Sequence, residues 1–125
     1  MRRSLLADGC HVEEGATIEN SVVGVRCRIG RNVTIRNSIV MGCDFYQSPD
    51  EIAANVAAGL PPLGIGENTL IEGAIVDKNC RIGRNARVVN EQGVESLPET
   101  PEAVVAEGII VLPKDAMLRD GWRLG

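Results

Sequence analysis

The sequence predicts an all-β fold, a parallel β-helix of hexapeptide repeats with a short helical insertion, on three observations. Aliphatic residues recur at Leu6, Val12, Ile18, Val23, Ile29 and Ile35, then at Ile65, Ile71, Val76, Ile82 and Val88, in steps of six and occasionally five. The segment Cys27-Arg28-Ile29-Gly30-Arg31-Asn32 returns unchanged as Cys80-Arg81-Ile82-Gly83-Arg84-Asn85, 53 residues later, and self-similarity at a fixed spacing marks a stacked repeat. The chain is 44% hydrophobic but only 2% aromatic, so its interior is a narrow aliphatic one.

A step of six fits neither the period of an amphipathic helix nor the alternation of a long strand. It fits short flat strands joined by tight corners, three to a triangular coil. Four residues after the aliphatic positions come small or β-branched ones, Cys10, Ala16, Val22, Cys27, Val33 and Ile39, then Thr69, Ile75, Cys80 and Ala86; both sets are expected to face inward. Corners need residues that tolerate positive φ, and Gly9, Gly15, Asn32, Asn68, Asn79, Asn85 and Gly121 stand where corners fall. Glycines are accordingly read as corner punctuation. With about eighteen residues per coil, the offset between the two matching segments is close to three coils and sets both on one side.

Taken in order, the first coils span about 5–43. The repeat breaks after Met41-Gly42, where Ser48-Pro49-Asp50-Glu51 presents a capping box with proline at the first helical position. A short helix follows through Ala58, ended by Gly59 and blocked by Pro61-Pro62; the insertion covers about 44–63. Coils resume at Ile65-Gly66 and run over about 64–90. A second insertion, about 91–105, carries glutamates with Pro98 and Pro101 and is expected as an exposed loop with a short helical piece. The last coil, about 106–125, returns the phase at Leu112, Leu118 and Leu124, while Trp122 is too large for a coil interior and is expected over the open end. The whole, 1–125, is expected as a single domain, too short for a nucleotide-binding domain plus a second module.

Net charge is -4, but the charges are segregated. Residues 23–40 carry Arg26, Arg28, Arg31 and Arg36 with no acid, and residues 76–90 carry Lys78, Arg81, Arg84 and Arg87 against Asp77. Acidic stretches lie between and after them. This favours a local anion site over a nucleic-acid surface. Cys10, Cys27, Cys43 and Cys80 form no CxxC pair and His11 is the sole histidine, expected to point outward, so a zinc site lacks a ligand set. The cysteines read as reduced, Cys10, Cys27 and Cys80 packing as compact hydrophobes. No apolar run approaches the roughly 20 residues of a membrane span, and Met1-Arg2-Arg3-Ser4 is not followed by a signal-peptide core; a soluble cytoplasmic protein is expected. A phosphate loop, a nucleophile elbow and a catalytic His/Cys pairing are all missing, which leaves the cationic positions, above all Lys78 and Lys114, both projecting from corners or strand ends.

The blocks Ser21-Val22-Val23-Gly24, Asn37-Ser38-Ile39-Val40-Met41-Gly42, Gly64-Ile65-Gly66-Glu67-Asn68, Ala74-Ile75-Val76-Asp77-Lys78-Asn79 and Gly108-Ile109-Ile110-Val111 go beyond generic hexapeptide sequence. Together they resemble the C-terminal regulatory domain of ADP-glucose pyrophosphorylases (glucose-1-phosphate adenylyltransferases) of the photosynthetic, phosphoglycerate-activated type, over nearly all of the chain, with a looser match from Leu118 onward. The resemblance implies a left-handed winding, against the right-handed rule for most parallel crossovers. It implies a parent nucleotidyltransferase that makes ADP-glucose and pyrophosphate from ATP and glucose 1-phosphate for glycogen or starch biosynthesis. Mg²⁺ and ATP would then belong to the N-terminal catalytic domain, which this chain does not resemble, so no cofactor and no catalysis are expected of this domain in isolation. It implies support for a homo-oligomer, a tetramer in the parent, and an effector pocket between the two domains. Lys78 and Lys114 match two family lysines implicated in binding an anionic effector such as 3-phosphoglycerate or phosphate, with Arg81 and Arg84 adding field.

Two other readings of the repeat stay open. A hexapeptide acyltransferase-like protein would use a histidine base at a subunit interface, for which this chain offers only His11. A purely structural scaffold would bind no small ligand.

Overall fold

The computed structural model of the protein describes residues 2–124; Met1 and Gly125, the ends of the expected domain, lie outside the described residues. The chain forms β1 (Leu5–Leu6), β2 (His11–Val12), β3 (Thr17–Glu19), β4 (Val22–Val23), β5 (Arg28–Ile29), β6 (Thr34–Arg36), β7 (Ile39–Val40), α1 (Pro49–Ala57), β8 (Gly64–Ile65), β9 (Leu70–Glu72), β10 (Ala74–Val76), β11 (Arg81–Ile82), β12 (Arg87–Val88), β13 (Val104–Ala106), β14 (Ile109–Leu112) and β15 (Met117–Leu118). They stack into three faces: β1-β4-β7-β10-β14-β13, then β2-β5-β8-β11-β15, then β3-β6-β9-β12. Pairing within the faces is parallel except between β13 and β14. No described helix is long and apolar enough to cross a membrane.

One coil takes 17 residues, as Ser38 over Ser21 shows, and 36 where an insertion intervenes, as Ala74 over Ser38 shows. The coil is therefore shorter than eighteen. Ile29 stacks on Ile65 and Ile65 on Ile82, so the matching segments lie two coils apart rather than three, on the same face as expected, with one insertion taking up the remaining residues.

The inward column holds Ile18, Val23, Ile29, Ile35, Val40, Ile65, Ile71, Val76, Ile82, Val88, Ile110, Leu112 and Leu118, all buried. Leu6 and Val12 are in the same phase, paired with Val23 and Ile29, yet exposed, because no described coil stacks beyond them. The expectation for the small positions fails on the first face. Val22 and Ile39 are exposed and Ile75 is only half-buried, while Ser21, Ser38 and Ala74 point inward. The physical reason is the five-residue rung. The partner of each inward aliphatic residue lies two positions before it, as Cys27 before Ile29 and Ser21 before Val23, and a count forward of four overshoots wherever the side is one residue shorter.

A serine ladder makes that short side possible. Ser38 N–H donates to Ser21 Oγ at 3.1 Å and Ala74 N–H to Ser38 Oγ at 3.2 Å, while the two hydroxyls donate to Glu19 O and Arg36 O. Each hydroxyl thus takes the place of a backbone acceptor at a corner where Asn20 and Asn37 turn with φ of 48° and 50°. The expected corner residues behave alike: Gly9, Gly15, Asn32, Asn68, Asn79, Asn85 and Gly121 all have positive φ. Gly30, Gly66 and Gly83 instead serve stacking. A Cβ on Gly66 would lie 2.5 Å from the Gly83 carbonyl carbon, and one on Gly30 2.8 Å from Glu67 N.

The first insertion carries α1 with the expected caps. Ser48 and Glu51 exchange side chain-to-backbone bonds of 3.1 and 2.9 Å, and Leu60 N–H closes on Asn55 O at 2.8 Å with Gly59 at φ 73°. The second insertion corrects the expectation of a helical piece. Glu107 and Gly108, both at positive φ, reverse the chain in a two-residue turn, and the β-branched Val104-Val105 pairs antiparallel with β14. Val105 and Ala103 are buried, and Val94, Leu97, Trp122 and Leu124 pack partly buried on the column. Trp122, beside the Arg87–Arg123 bridge, so shares the closing of that end with the hairpin.

Candidate functional site

The corner between the first and second faces is made by Asp77-Lys78-Asn79 after β10 and by Pro113-Lys114-Asp115 after β14. In each, the residue after the lysine turns in the left-handed region, Asn79 at φ 61° and Asp115 at φ 64°. The register carried from Val76↔Leu112 sets Lys78 and Lys114 at the same place in consecutive coils, and Asp115 N–H donates to Lys78 O at 3.0 Å. Neighbouring strands are about 4.8 Å apart, so two exposed ammonium groups spring from adjacent points of one ridge.

One coil earlier the same ridge passes through Gly42, whose carbonyl accepts from Asn79 N–H at 3.1 Å. There the chain departs into the first insertion, and Asp44 leans back onto the corner. Its carboxylate lies 3.3 Å from Lys78 Nζ and accepts from Asn79 Nδ2 at 3.0 Å, while its own N–H donates to Asn79 Oδ1 at 2.9 Å. Asn79 is buried, so its amide is a fixed two-way clasp. The hydrogen bond from Asn79, then Lys78, with the charge of Lys114 behind them, holds the Asp44 carboxyl below the usual carboxylate range. Asp77 turns an oxygen to the Lys78 N–H at 2.6 Å. Sequence reading missed Asp44: the coil register sets it level with Cys80, and only the departure of the chain after Gly42 turns its carboxylate back onto Lys78.

Arg81 and Arg84 are not part of this corner. From β11, Arg81 reaches Asn55 Oδ1 at 3.0 Å and Pro61 O at 3.5 Å, fastening the helical insertion to the second face. Arg84 stands at the following corner between Glu67 at 3.7 Å and Asp120 at 3.8 Å, at the edge of a groove of about 320 Å³ that Glu13, Arg28, Val56 and Leu60 also line. The four residues singled out from sequence therefore divide into a lysine pair and two separately partnered arginines.

His11 is exposed on β2, and among the described residues no three His, Cys, Asp or Glu side chains are grouped to hold a metal ion. Cys27, Cys43 and Cys80 are buried free thiols. Burial first of all raises each of them, Cys80 to about 12. Such thiols are protonated at neutral pH and pack as small hydrophobes.

The family model described as the GLGC left-handed parallel beta-helix domain matches residues 1–122, taking in both insertions and, of the loosely resembling stretch that begins at Leu118, the part up to Trp122. That match supplies the left hand of the winding, which the spacing of the repeat leaves open. With parallel coils, three faces and one short helix in agreement, the chain belongs to the family of the left-handed β-helix domain of ADP-glucose pyrophosphorylase.

Proposed function

We propose that the chain, as a single β-helical domain over residues 1–125, is the regulatory and oligomerisation domain of a cytoplasmic ADP-glucose pyrophosphorylase, and that its Lys78–Lys114 corner binds an anionic phosphorylated effector such as 3-phosphoglycerate or phosphate. The observation that carries this reading is the shared register of the two lysines in consecutive coils. Two lysines rooted a strand spacing apart can bring both ammonium groups to the oxygens of one phosphate, or of a phosphate and a nearby carboxylate, with charge-assisted hydrogen bonds that a lone exposed lysine does not supply. Catalysis, with its ATP and Mg²⁺, belongs on this reading to a nucleotidyltransferase domain. Support for an oligomeric role is the outward apolar row Leu5, Val22 and Ile39 on the first face, exposed by 70%, 43% and 45%. An aligned row of this kind is a surface suited to another protein face.

Calorimetric titration of the chain with 3-phosphoglycerate tests the site. Lys78→Ala and Lys114→Ala should each weaken binding by about three- to tenfold, the worth of one partly exposed charge-assisted contact. Arg81→Ala and Arg84→Ala should change it by less than about twofold, because screening at physiological salt acts over about 8 Å and both guanidinia are engaged elsewhere. Unaltered titrations in both lysine variants would refute the assignment.

A further inference from the structure

We propose that Asp44 is a resident occupant of the Lys78–Lys114 corner, a tethered carboxylate that an effector anion must displace, and that its displacement frees the first turn of the helical insertion. The proposal rests on the reading of that corner as an anion site and adds to it a competitor and an output.

The geometry of Asp44 is that of a bound anion. One oxygen takes the Lys78 ammonium at 3.3 Å and the other takes the Asn79 amide at 3.0 Å. These are the cationic and neutral donors that a phosphate or carboxylate oxygen would need at the same place. The Asn79 amide cannot simply turn away, since its oxygen accepts from Asp44 N–H at 2.9 Å and its side chain is buried. When the carboxylate leaves, Nδ2 remains aimed at the corner. Asp44 itself is easily displaced: its side chain is 44% exposed, and exposed ion pairs contribute only about 0–1 kcal/mol.

The acids around the corner decide what can displace it. Asp77 has an oxygen committed to the Lys78 N–H and Asp115 follows Lys114 in the chain, so with Asp44 in place the segments of the corner carry three carboxylates to two lysines. A weak monoanion gains little by replacing Asp44. A phosphate dianion, or a molecule carrying both phosphate and carboxylate, brings more charge and more acceptor oxygens than the single group it expels. Asp44 thus sets a threshold that selects phosphorylated acids over simple ones.

Its release has a structural output because Asp44 is the first tie of the insertion. Behind it Tyr46 Oη donates to Gly9 O at 2.9 Å, Gln47 bonds both Asn55 and the Leu63 N–H, and Asn55 accepts from Arg81. These contacts hang α1 on the second face, and α1 has no buried residue of its own. With the carboxylate displaced, Asp44 is held to the corner by its N–H to Asn79 alone, one contact in place of three, and the weakened tie loosens the rest.

The test is a pair of titrations, inorganic phosphate and acetate, on the unaltered chain and on Asp44→Asn, which keeps the backbone bond to Asn79 while removing the charge. Hydrogen exchange over residues 44–60 is followed in parallel. We expect phosphate to bind Asp44→Asn about three- to fivefold more tightly, the preference for phosphate over acetate to narrow, and exchange in the insertion to rise with phosphate in the unaltered chain but to be raised beforehand in the variant. Phosphate binding by Asp44→Asn alone would also support the proposal. Equal or weaker phosphate binding in the variant, with Lys78→Ala still lowering affinity, overturns the role of Asp44 and leaves the anion site standing. Absence of phosphate binding in both proteins overturns the anion site and this proposal together.

Discussion

At the scale of single residues, the fold depends on what can stand between coils. Gly66 shows this most directly, since a methyl there would meet the backbone of Gly83 and Arg84 at 2.5–2.7 Å, and backbone cannot move aside as a flexible side chain can. Gly66→Ala should lower stability by about 3 kcal/mol, the upper end of the usual range for overpacking with backbone displacement. Gly73, at φ 64° with open space around it, should cost only about 1 kcal/mol as alanine, for the left-handed conformation alone. Urea melts of the two variants separate close stacking from turn geometry, and equal losses would contradict the distinction. The sequence marks both as glycine and so does not distinguish them. The corner asparagines are legible because asparagine, among residues with a side chain, tolerates positive φ readily, whereas the inward roles of Ser21 and Ser38 are hidden behind Val22 and Ile39, whose hydrophobicity attracts the inward assignment.

Among the elements, the two insertions differ in how openly their sequences announce them. Helix α1 is local: Ser48, Pro49, Glu51 and Gly59 write both of its ends within a dozen positions, and each cap forms as expected. Ser48→Ala removes one of the two reciprocal cap bonds and should cost the helix about 1 kcal/mol, read as an approximately fivefold rise in amide exchange across residues 49–58. Because α1 buries none of its residues, the midpoint of global unfolding should hardly move; a large drop would mean that the column leans on the helix. The β13–β14 hairpin depends on a distant partner. Pro98, Pro101 and the glutamates nearby hide the short Val104-Val105 signal, and only the presence of an unpaired β14 edge turns that dipeptide into a strand.

For the whole molecule, the narrow column that made the fold readable also governs its response to pH. Burial lifts Cys80 from 9.0 to about 12 and moves Cys27 and Cys43 the same way. Above pH 9 the unfolded chain sheds thiol protons that the folded chain retains, so it binds fewer protons and stability falls as pH rises between about 9 and 12. The urea midpoint should be lower at pH 10 than at pH 8, with Cys80→Ala showing a shallower decline; a flat profile would place these thiols in contact with water. The cationic corner was legible only in part. Lys78 and Lys114 stood out through motif likeness, whereas the tie to Asp44 and the separate duties of Arg81 and Arg84 follow from how coils of 17 and 36 residues, with the insertions they carry, bring remote segments level.

Seventeen residues and thirty-six both advance the chain by a single storey. Ordinary sequence distance is consequently a poor guide to proximity in this molecule, and the useful coordinate is an address made of storey and position within the storey. By that address a loop of different length at either excursion leaves its neighbours where they were, since lengthening a loop costs little closure entropy. Charge pairs can persist across relatives whose loops differ, and are best sought by matching addresses.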